Sequence, residues 1–269
     1  MVAASIAAAG LAIVPGSAAS GASDALARPG APGQPKLVKI RSNDKRVTVS
    51  DAHFRPGVTE FRVRHTTHRK TSITVFETKK LDRLFKKFGE AGQSADAMKT
   101  VDRIATFYGG GGEGTRWQVR LSKGSYYVIG DKNNLTTIKV SGERRNVKMA
   151  KADSQIWTTK DNQFKTSGKL SGKWVSFTNH SREIHFAEGD HVAADTSAKD
   201  VQQGLKSPDE PTWIREGGFH FDIQSPGIKT VHRQNIEGYK YLLMCWMPSE
   251  EQDGVPHAMM GMWHLVWGS

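Results

Sequence analysis

The chain has 269 residues and a net charge of +11 at pH 7, which is enough length for two ordinary domains. Its one cysteine excludes an internal disulfide and a dinuclear metal site bridged by two cysteines. The charge is uneven: residues 36–150 carry 25 Lys and Arg against 11 Asp and Glu, a net +14, whereas residues 151–269 carry 12 against 15, a net −3.

The N-terminal stretch predicts export. Residues 1–20 are apolar, rich in alanine and end in small residues, like the hydrophobic core and cleavage region of a secretory signal, although no Lys or Arg precedes Arg28. A disordered tail is the alternative. Residues 21–36, rich in Ser, Gly, Ala and Pro, predict a flexible linker. Because no later apolar run reaches the roughly 18 residues of a membrane span, we expect a secreted or extracytoplasmic protein of the cell envelope, anchored at most by its N-terminus.

The first half, residues 37–150, predicts short strands interrupted by two helices. Runs of β-branched and aromatic residues mark strands at residues 37–40, 47–49, 61–64, 73–76, 117–121, 125–129 and 137–140. An apolar stripe at i, i+3, i+4 and i+7 predicts a helix over 81–88 with a basic outer face, and Ser94 is the expected N-cap of a second helix. The glycine run 109–112 lacks the Lys-Ser/Thr ending of a phosphate loop and is interpreted as a flexible turn.

The excess of positive charge in this half indicates an anionic partner. For an exported chain, an anionic envelope polymer or a membrane surface that contacts residues 36–150 fits better than nucleic acid, which we do not expect. A basic face that only keeps the protein soluble is the alternative.

The second half repeats this plan. Strands are predicted at residues 154–157, 172–178, 184–187, 219–223, 230–234, 239–244 and 262–267, with a long polar insertion at roughly 188–218. The glycine turn and aromatic strand at 124–129 match those at 238–244, and the residue after the second run is Cys245, where the first half has Gly130 or Asp131. Many short alternating strands favour a β-sandwich in each half.

The C-terminal end carries the residues with metal chemistry. Cys245 ends an apolar strand, and after an acidic loop come His257 and three methionines, Met259, Met260 and Met262. A thiolate, an imidazole and a thioether around one turn of chain suit copper, and a two-His, one-Cys site with a weak axial Met is the blue-copper arrangement. A buried, inert cysteine is the alternative.

The second imidazole must come from another part of the chain. His185 is the candidate, because it stands at the mouth of the strand 184–187 and would lie at the same end of the sandwich as the loop after Cys245. His180, in the preceding turn, and His191, at the start of the insertion, are alternatives.

The order Phe177-Thr178-Asn179, His185, Gly238-Tyr239, Cys245, His257 and Met262 resembles the cupredoxin family of plastocyanin- and azurin-like type 1 copper domains. The resemblance implies an all-β fold of two tandem cupredoxin-like Greek-key β-sandwiches. The first, at 37–150, has inserted short helices and lacks copper ligands, with Thr71 where a first His is expected. The second, at 151–269, holds one copper ion through His185, Cys245, His257 and Met262. Met262 is preferred because a four-residue gap after the His is common in the family.

The resemblance implies one-electron transfer rather than catalysis. It places His257 near the surface as the exit for the electron, with a redox partner protein docking beside it on the 248–256 loop. A copper carrier or scavenger that uses the methionines is one alternative, and a metal-free envelope-binding module that uses the first half is another. An oxidase or nitrite reductase would need more His ligands, usually His-X-His pairs, and His65 and His68 are the only near-pair.

Overall fold

The computed structural model describes residues 33–43, 45–65, 72–91, 94–130, 134–207, 209 and 211–269. The predicted export signal, most of the predicted linker, His68 and Thr71 lie outside the described residues. Within the described ranges, no helix has both the length and the apolar character needed to cross a membrane.

The described residues form short β-strands and three α-helices. The first half contains β1 (Lys36–Ser42), β2 (Val47–Val49), β3 (His53–Phe54), β4 (Gly57–His65), β5 (Ile73–Thr78), α1 (Leu81–Glu90), α2 (Ala95–Ile104), β6 (Ala105–Gly111), β7 (Arg116–Leu121), β8 (Gly124–Ile129) and β9 (Leu135–Val140). The second half contains β10 (Ser154–Thr158), β11 (Phe164–Thr166), β12 (Trp174–Asn179), β13 (His185–Val192), α3 (Ala198–Gly204), β14 (Ile214–Gln224), β15 (Lys229–Arg233), β16 (Lys240–Met244), a 3-10 helix (His257–Met260) and β17 (Trp263–Trp267).

Two sheets run through both halves. One has the order β11-β10-β12-β15-β7-β4-β1-β2, and the other has the order β17-β16-β13-β14-β6-β5-β8-β9-β3. Apart from the edge strand β3, each strand of one half has a counterpart in the mirrored place of the other half. The pairing directions also match, since β1 is parallel to β4 as β10 is to β12. The halves therefore share one strand plan and meet edge to edge through β7 with β15 and β6 with β14.

The core fills the space between the sheets. Alternating side chains from strands of both sheets form the first-half core, with Val38 and Ile40 of β1 facing Val75 of β5 and Val128 of β8. The second-half core continues from the strands into the α1–α2 pair. The predicted all-β class with short helices in the first half is confirmed, and α2 begins after Ser94, whose Oγ accepts from the Ala97 N–H (3.3 Å).

The glycine run of the first half is not a turn. Gly109–Gly111 belong to β6, and Gly110 and Gly111 pair with Thr74 and Ile73 of β5. A Cβ at Gly110 would collide with the backbone oxygen of Ile73 and the carboxylate of Asp222. The interpretation as a flexible turn was wrong, because these glycines allow a close strand approach rather than a change of direction.

The insertion of the second half is shorter and more ordered than predicted. β13 extends to Val192 and β14 begins at Ile214, so both strands take residues that were assigned to the insertion. Between them, α3 begins with a capping box in which Ser197 and Asp200 each accept from the other's N–H. A small apolar cluster of Val192, Val201, Leu242, Met244 and Ala258 joins this segment to the sheet.

Candidate metal centre

Three strands bring the predicted ligands to one end of the second half. His185 is the first residue of β13, Cys245 directly follows β16, and the 3-10 helix that leads into β17 begins at His257. β16 lies between β13 and β17 and pairs antiparallel with both. The start of β13, the end of β16 and the start of β17 therefore meet at the same sheet end.

The eleven residues between Cys245 and His257 fold back on themselves. Pro248 and Pro256 form an isolated antiparallel bridge, which closes the loop. The His257 N–H donates to the Met247 carbonyl (3.0 Å), and the Ala258 N–H donates to the Cys245 carbonyl (2.7 Å). These backbone bonds return the chain to its starting point, so the long gap still places His257 beside Cys245.

The predicted imidazoles and the thiol form one compact group. His185 Nδ1 lies 3.4 Å from Cys245 Sγ, and His257 Nδ1 lies 3.8 Å from the same sulfur. The two imidazole centroids are 4.5 Å apart. The ligand atoms of the three residues all lie within 4.8 Å of one another, and His257, the most exposed of the three, is only 1% exposed.

The other candidates are separated by position and burial. His180 is exposed, and His191 stacks on Tyr239 (4.2 Å between ring centroids) far along β13 from the cluster. Among the methionines, Met259 is 55% exposed, whereas Met262 is buried and its N–H donates to the His257 carbonyl (2.9 Å). Met260, which is half-buried, and Met262 both line the same cleft as His257. The role of Met262 as a ligand stays a prediction.

Each imidazole also binds a polar group with its second nitrogen. His185 Nε2 lies 3.1 Å from Asn162 Oδ1, and His257 Nε2 lies 3.0 Å from Glu183 Oε2. Asn162 Nδ2 donates to Glu183 Oε1 (2.9 Å), and the Glu250 N–H donates to Glu183 Oε2 (2.8 Å). A hydrogen-bonded chain of four side chains thus runs from His185 through Asn162 and Glu183 to His257.

The turn before β13 places Glu183 in this chain. Asn179 Nδ2 donates to the carbonyls of Glu183 (2.8 Å) and Gln224 (2.9 Å). Ser181 Oγ donates to the Glu183 carbonyl as well (2.9 Å). The predicted Asn179 turn is therefore a rigid connection that fixes the residues on both sides of Ile184.

Burial sets the direction of the pKa shifts of Cys245 and His185, whereas hydrogen bonds set that of Glu183. Burial raises the pKa of the Cys245 thiol to about 12, so the metal-free thiol keeps its proton at neutral pH. Burial, and then the nearby His257, lower the pKa of His185 well below its usual range. Burial alone would raise the pKa of Glu183, but hydrogen bonds from His257, the Glu250 N–H and Asn162 outweigh it and hold this pKa at about 2.

A polar cleft of about 450 Å³ opens over the group. His257 and Met262 lie in its wall, together with Asn162, Glu183 and charged residues of both signs such as Lys160. His257 itself is buried, so its expected position near the surface was wrong. Its Nε2 faces Glu183, which also accepts from the Glu250 N–H of the 248–256 loop.

The donor set fits copper. Two imidazole nitrogens and one thiol sulfur converge in a buried site, which is the combination of ligands that suits copper best. Both imidazoles have hydrogen-bonded outer nitrogens, as metal-binding histidines almost always do. The arrangement could also hold another soft divalent ion, since ligand type alone does not select one metal.

Sequence reasoning missed Asn162 and Glu183. Glu183 carried one usable signal, because it stands two residues before His185, and side chains two apart in an extended run point to the same side. Asn162 carried none, since it lies in a turn 23 residues from His185 with no periodic pattern.

No protein-family model and no curated protein matches the chain. Among solved structures, it is similar to auracyanin B, with 12% identity over 43% of this chain and 86% of that one and a TM-score of 0.27. It is also similar to reduced auracyanin from Roseiflexus castenholzii, with 17% identity over 43% of this chain and 94% of that one and a TM-score of 0.27. The third is copper nitrite reductase from Nitrosomonas europaea, with 10% identity over 88% of this chain and 94% of that one and a TM-score of 0.23. TM-scores below 0.5 give these likenesses no weight for function, and the resemblance to cupredoxins rests on the strand plan and the His-Cys-His group.

Proposed function

We propose that the protein binds one copper ion between His185, Cys245 and His257, with Met262 as a weak axial ligand, and that it carries single electrons. The observation that supports this most is the convergence of two imidazole Nδ1 atoms on one buried sulfur. Copper held by such ligands supplies a one-electron couple.

The surroundings favour electron transfer over copper carriage. The ligands stand on strand ends and on a loop closed by backbone hydrogen bonds, so the site is fixed before a metal binds. A carrier that relied on the three methionines would need them together, and Met259 is instead directed into solvent. Fixed ligand positions suit a site that must change oxidation state with little rearrangement.

We further propose that a redox partner docks over the cleft and the 248–256 loop. Trp246, which directly follows Cys245, is 38% exposed at this end and offers an aromatic contact. Export to the cell envelope and contact of residues 36–150 with an anionic polymer or membrane surface belong to the same proposal, and they are supported by composition and charge.

The test is a metal assay combined with an absorption spectrum of the full chain after copper loading. We expect one copper per chain and an intense band near the red end of the visible spectrum, which Cys245→Ser abolishes. Met262→Leu should shift this band, whereas Met259→Leu, the matched control at an exposed position, should leave it unchanged.

Other results would replace the proposal. A colourless protein that holds Cu(I) would indicate a carrier, and a protein that binds no copper would indicate a metal-free binding module. Nitrite-dependent turnover with an electron donor would indicate an enzyme.

A further inference from the structure

The two imidazoles of the metal centre are oriented by their outer nitrogens. Both turn Nδ1 toward Cys245 and Nε2 away from it. Each Nε2 faces an oxygen atom, from Asn162 for His185 and from Glu183 for His257. An imidazole whose Nε2–H donates to such an oxygen has its Nδ1 lone pair free for a metal.

The donors around Glu183 fix the direction of the whole chain of hydrogen bonds. Its carboxylate faces three N–H groups, from His257, from Asn162 and from the Glu250 backbone. A carboxylate only accepts, so it satisfies all three. Because the Asn162 amide must turn its NH₂ group to Glu183, its oxygen is left to accept from His185.

The backbone at Asn162 is also adapted to this role. Its φ is +52°, a left-handed conformation that few residues other than Gly, Asn and Asp adopt easily. The turn is held by the Thr159 N–H donating to Gln163 (2.8 Å) and by the Asn162 N–H donating to Thr159 (3.2 Å). This turn brings the Asn162 amide to Glu183, which precedes β13, and to His185, the first residue of β13.

We propose that Asn162 and Glu183 are positioning residues, which together hold both imidazoles in the Nε2–H tautomer with Nδ1 directed at the metal position before any metal binds. The proposal rests on the proposed function for its effect on copper, but the tautomers themselves do not require a metal. Glu183 has a second role, because its bond from the Glu250 N–H ties the 248–256 loop to the start of β13.

Glu183→Gln tests the carboxylate with little change of shape. A Gln amide has one acceptor oxygen and one donor NH₂ group. Because His257 and the Glu250 N–H share Oε2, the Gln oxygen keeps both of them only if its NH₂ group faces the Asn162 amide. We expect copper affinity to fall about 10–100-fold, which is the usual effect of losing a group that orients a metal ligand. Asp161→Asn is the matched control: Asp161 is an exposed carboxylate in the same cleft, and its loss should not change copper affinity.

Asn162→Gly provides an independent variant that tolerates the left-handed backbone and removes only the amide. It should weaken copper binding through His185, again by about 10–100-fold. If Glu183→Gln does not fold, Asn162→Gly still decides the proposal, because Asn162 is only half-buried.

The readout that needs no metal is the ¹⁵N chemical shift of the ring nitrogens in the metal-free protein at pH 8. We expect both wild-type imidazoles as Nε2–H tautomers, with mixed tautomers for His185 in both variants, because in Glu183→Gln the Asn162 amide turns its NH₂ group toward His185. Nδ1–H tautomers in the wild type, or variants with wild-type tautomers and affinity, would overturn the proposal. A wild-type protein that shows these tautomers but binds no copper would instead refute the proposed function alone.

Discussion

The two halves of the molecule share a strand plan but differ at the end where the second half gathers its ligands. In the second half, β13 and β16 are neighbours, and Cys245 follows β16. In the first half, β5 and β8 are neighbours in the same way, and Gly130 follows β8. The register supports this equivalence, since Met244 pairs with Glu188 as Ile129 pairs with Thr74.

The first half has filled the space that a ligand would need. A Cβ placed on Gly130 would lie 2.6 Å from Val47 Cγ2 and 3.0 Å from Ile73 Cδ1. Around Cys245, the corresponding space is occupied by His185 and His257. One backbone plan thus supports a plain apolar core at one end and a candidate metal centre at the other, so the side chains and not the fold carry the function.

Two carboxylates, one in each half, have opposite pKa shifts. Burial alone would raise the pKa of Glu60 in the first half, but hydrogen bonds from Arg116 and Gln118 outweigh it and lower this pKa. In the second half, burial and then the neighbouring Glu188 raise the pKa of Asp190 to about 7. The difference follows the local partners, because Glu60 accepts hydrogen bonds from Arg116 and Gln118 whereas Asp190 lies beside another carboxylate.

The largest expected effect that separates the two ends is the pH dependence of copper binding. Below its pKa of about 12 the Cys245 thiol holds a proton that a metal must displace, whereas His185, with its lowered pKa, has none to lose at neutral pH. Copper affinity should therefore rise about tenfold for each pH unit between pH 7 and 9, or about 1.4 kcal/mol per unit. Competition with a chelator of known protonation measures this slope.

The control for this slope is Cys245→Ser, which removes the proton in question and should give weak, nearly flat binding. A wild-type affinity that does not change with pH would mean that the thiol is already ionised or does not bind the metal. If the thiol does not bind the metal, the second half resembles the first, with a cysteine that only fills space.

The next effect concerns stability and comes from Asp190. Its raised pKa means that folding favours the protonated carboxyl, so its contribution is fully present below about pH 4 and is lost as the pH rises through 7. Asp190 pairs across the strands with the buried Leu242 and stands two residues after Glu188 on β13. Asp190→Asn removes its charge from this place. At pH 8.5 we expect the free energy of unfolding to increase by on the order of 2 kcal/mol. At pH 4 it should change little, as chemical denaturation at both pH values would show.

Glu60→Gln is the counterpart in the first half and should have the opposite sign. Its pKa is lowered, so its contribution is present above about pH 4.5 and is lost in acid. The substitution leaves Arg116 without its carboxylate (2.6 Å from Nε to Oε1) and should lower stability at pH 7. If both variants shift stability in the same direction, the hydrogen bonds to Glu60 and the carboxylate beside Asp190 do not set the opposite pKa shifts of these two groups.

Much of the fold was predictable because alternation and turn formers are local signals. The meeting of His185, Cys245 and His257 was also predictable, since strand ends that share a sheet edge lie together whatever the loop between them does. Asn162 and Glu183 were not, because their hydrogen bonds join turns that have no periodic pattern. The strand through Gly110 was missed because glycine has low strand propensity, and the need for it lies in Ile73 and Asp222, which are distant in sequence.

Two features depend on contacts that no local pattern encodes. The edge-to-edge continuation of both sheets is made by β7 with β15 and by β6 with β14, and nothing in the separate halves indicated that they would pair. The burial of His257 follows from how the 248–256 loop folds and from the carboxylate of Glu183. The sequence predicted a loop at these residues, but it did not predict how the loop folds.

The smallest expected effect tests the comparison most directly, by placing a cysteine at the first-half position that corresponds to Cys245. Gly130→Cys should bind no additional copper, because Val47 and Ile73 occupy the space that the new side chain would need. It should lower the free energy of unfolding by about 1–2 kcal/mol through overpacking. Gly130→Ala, with the same Cβ and no sulfur, should lose a similar amount if crowding is the cause. A copper stoichiometry of two per chain in Gly130→Cys would show that the first half keeps a usable site and that a single residue separates the two ends.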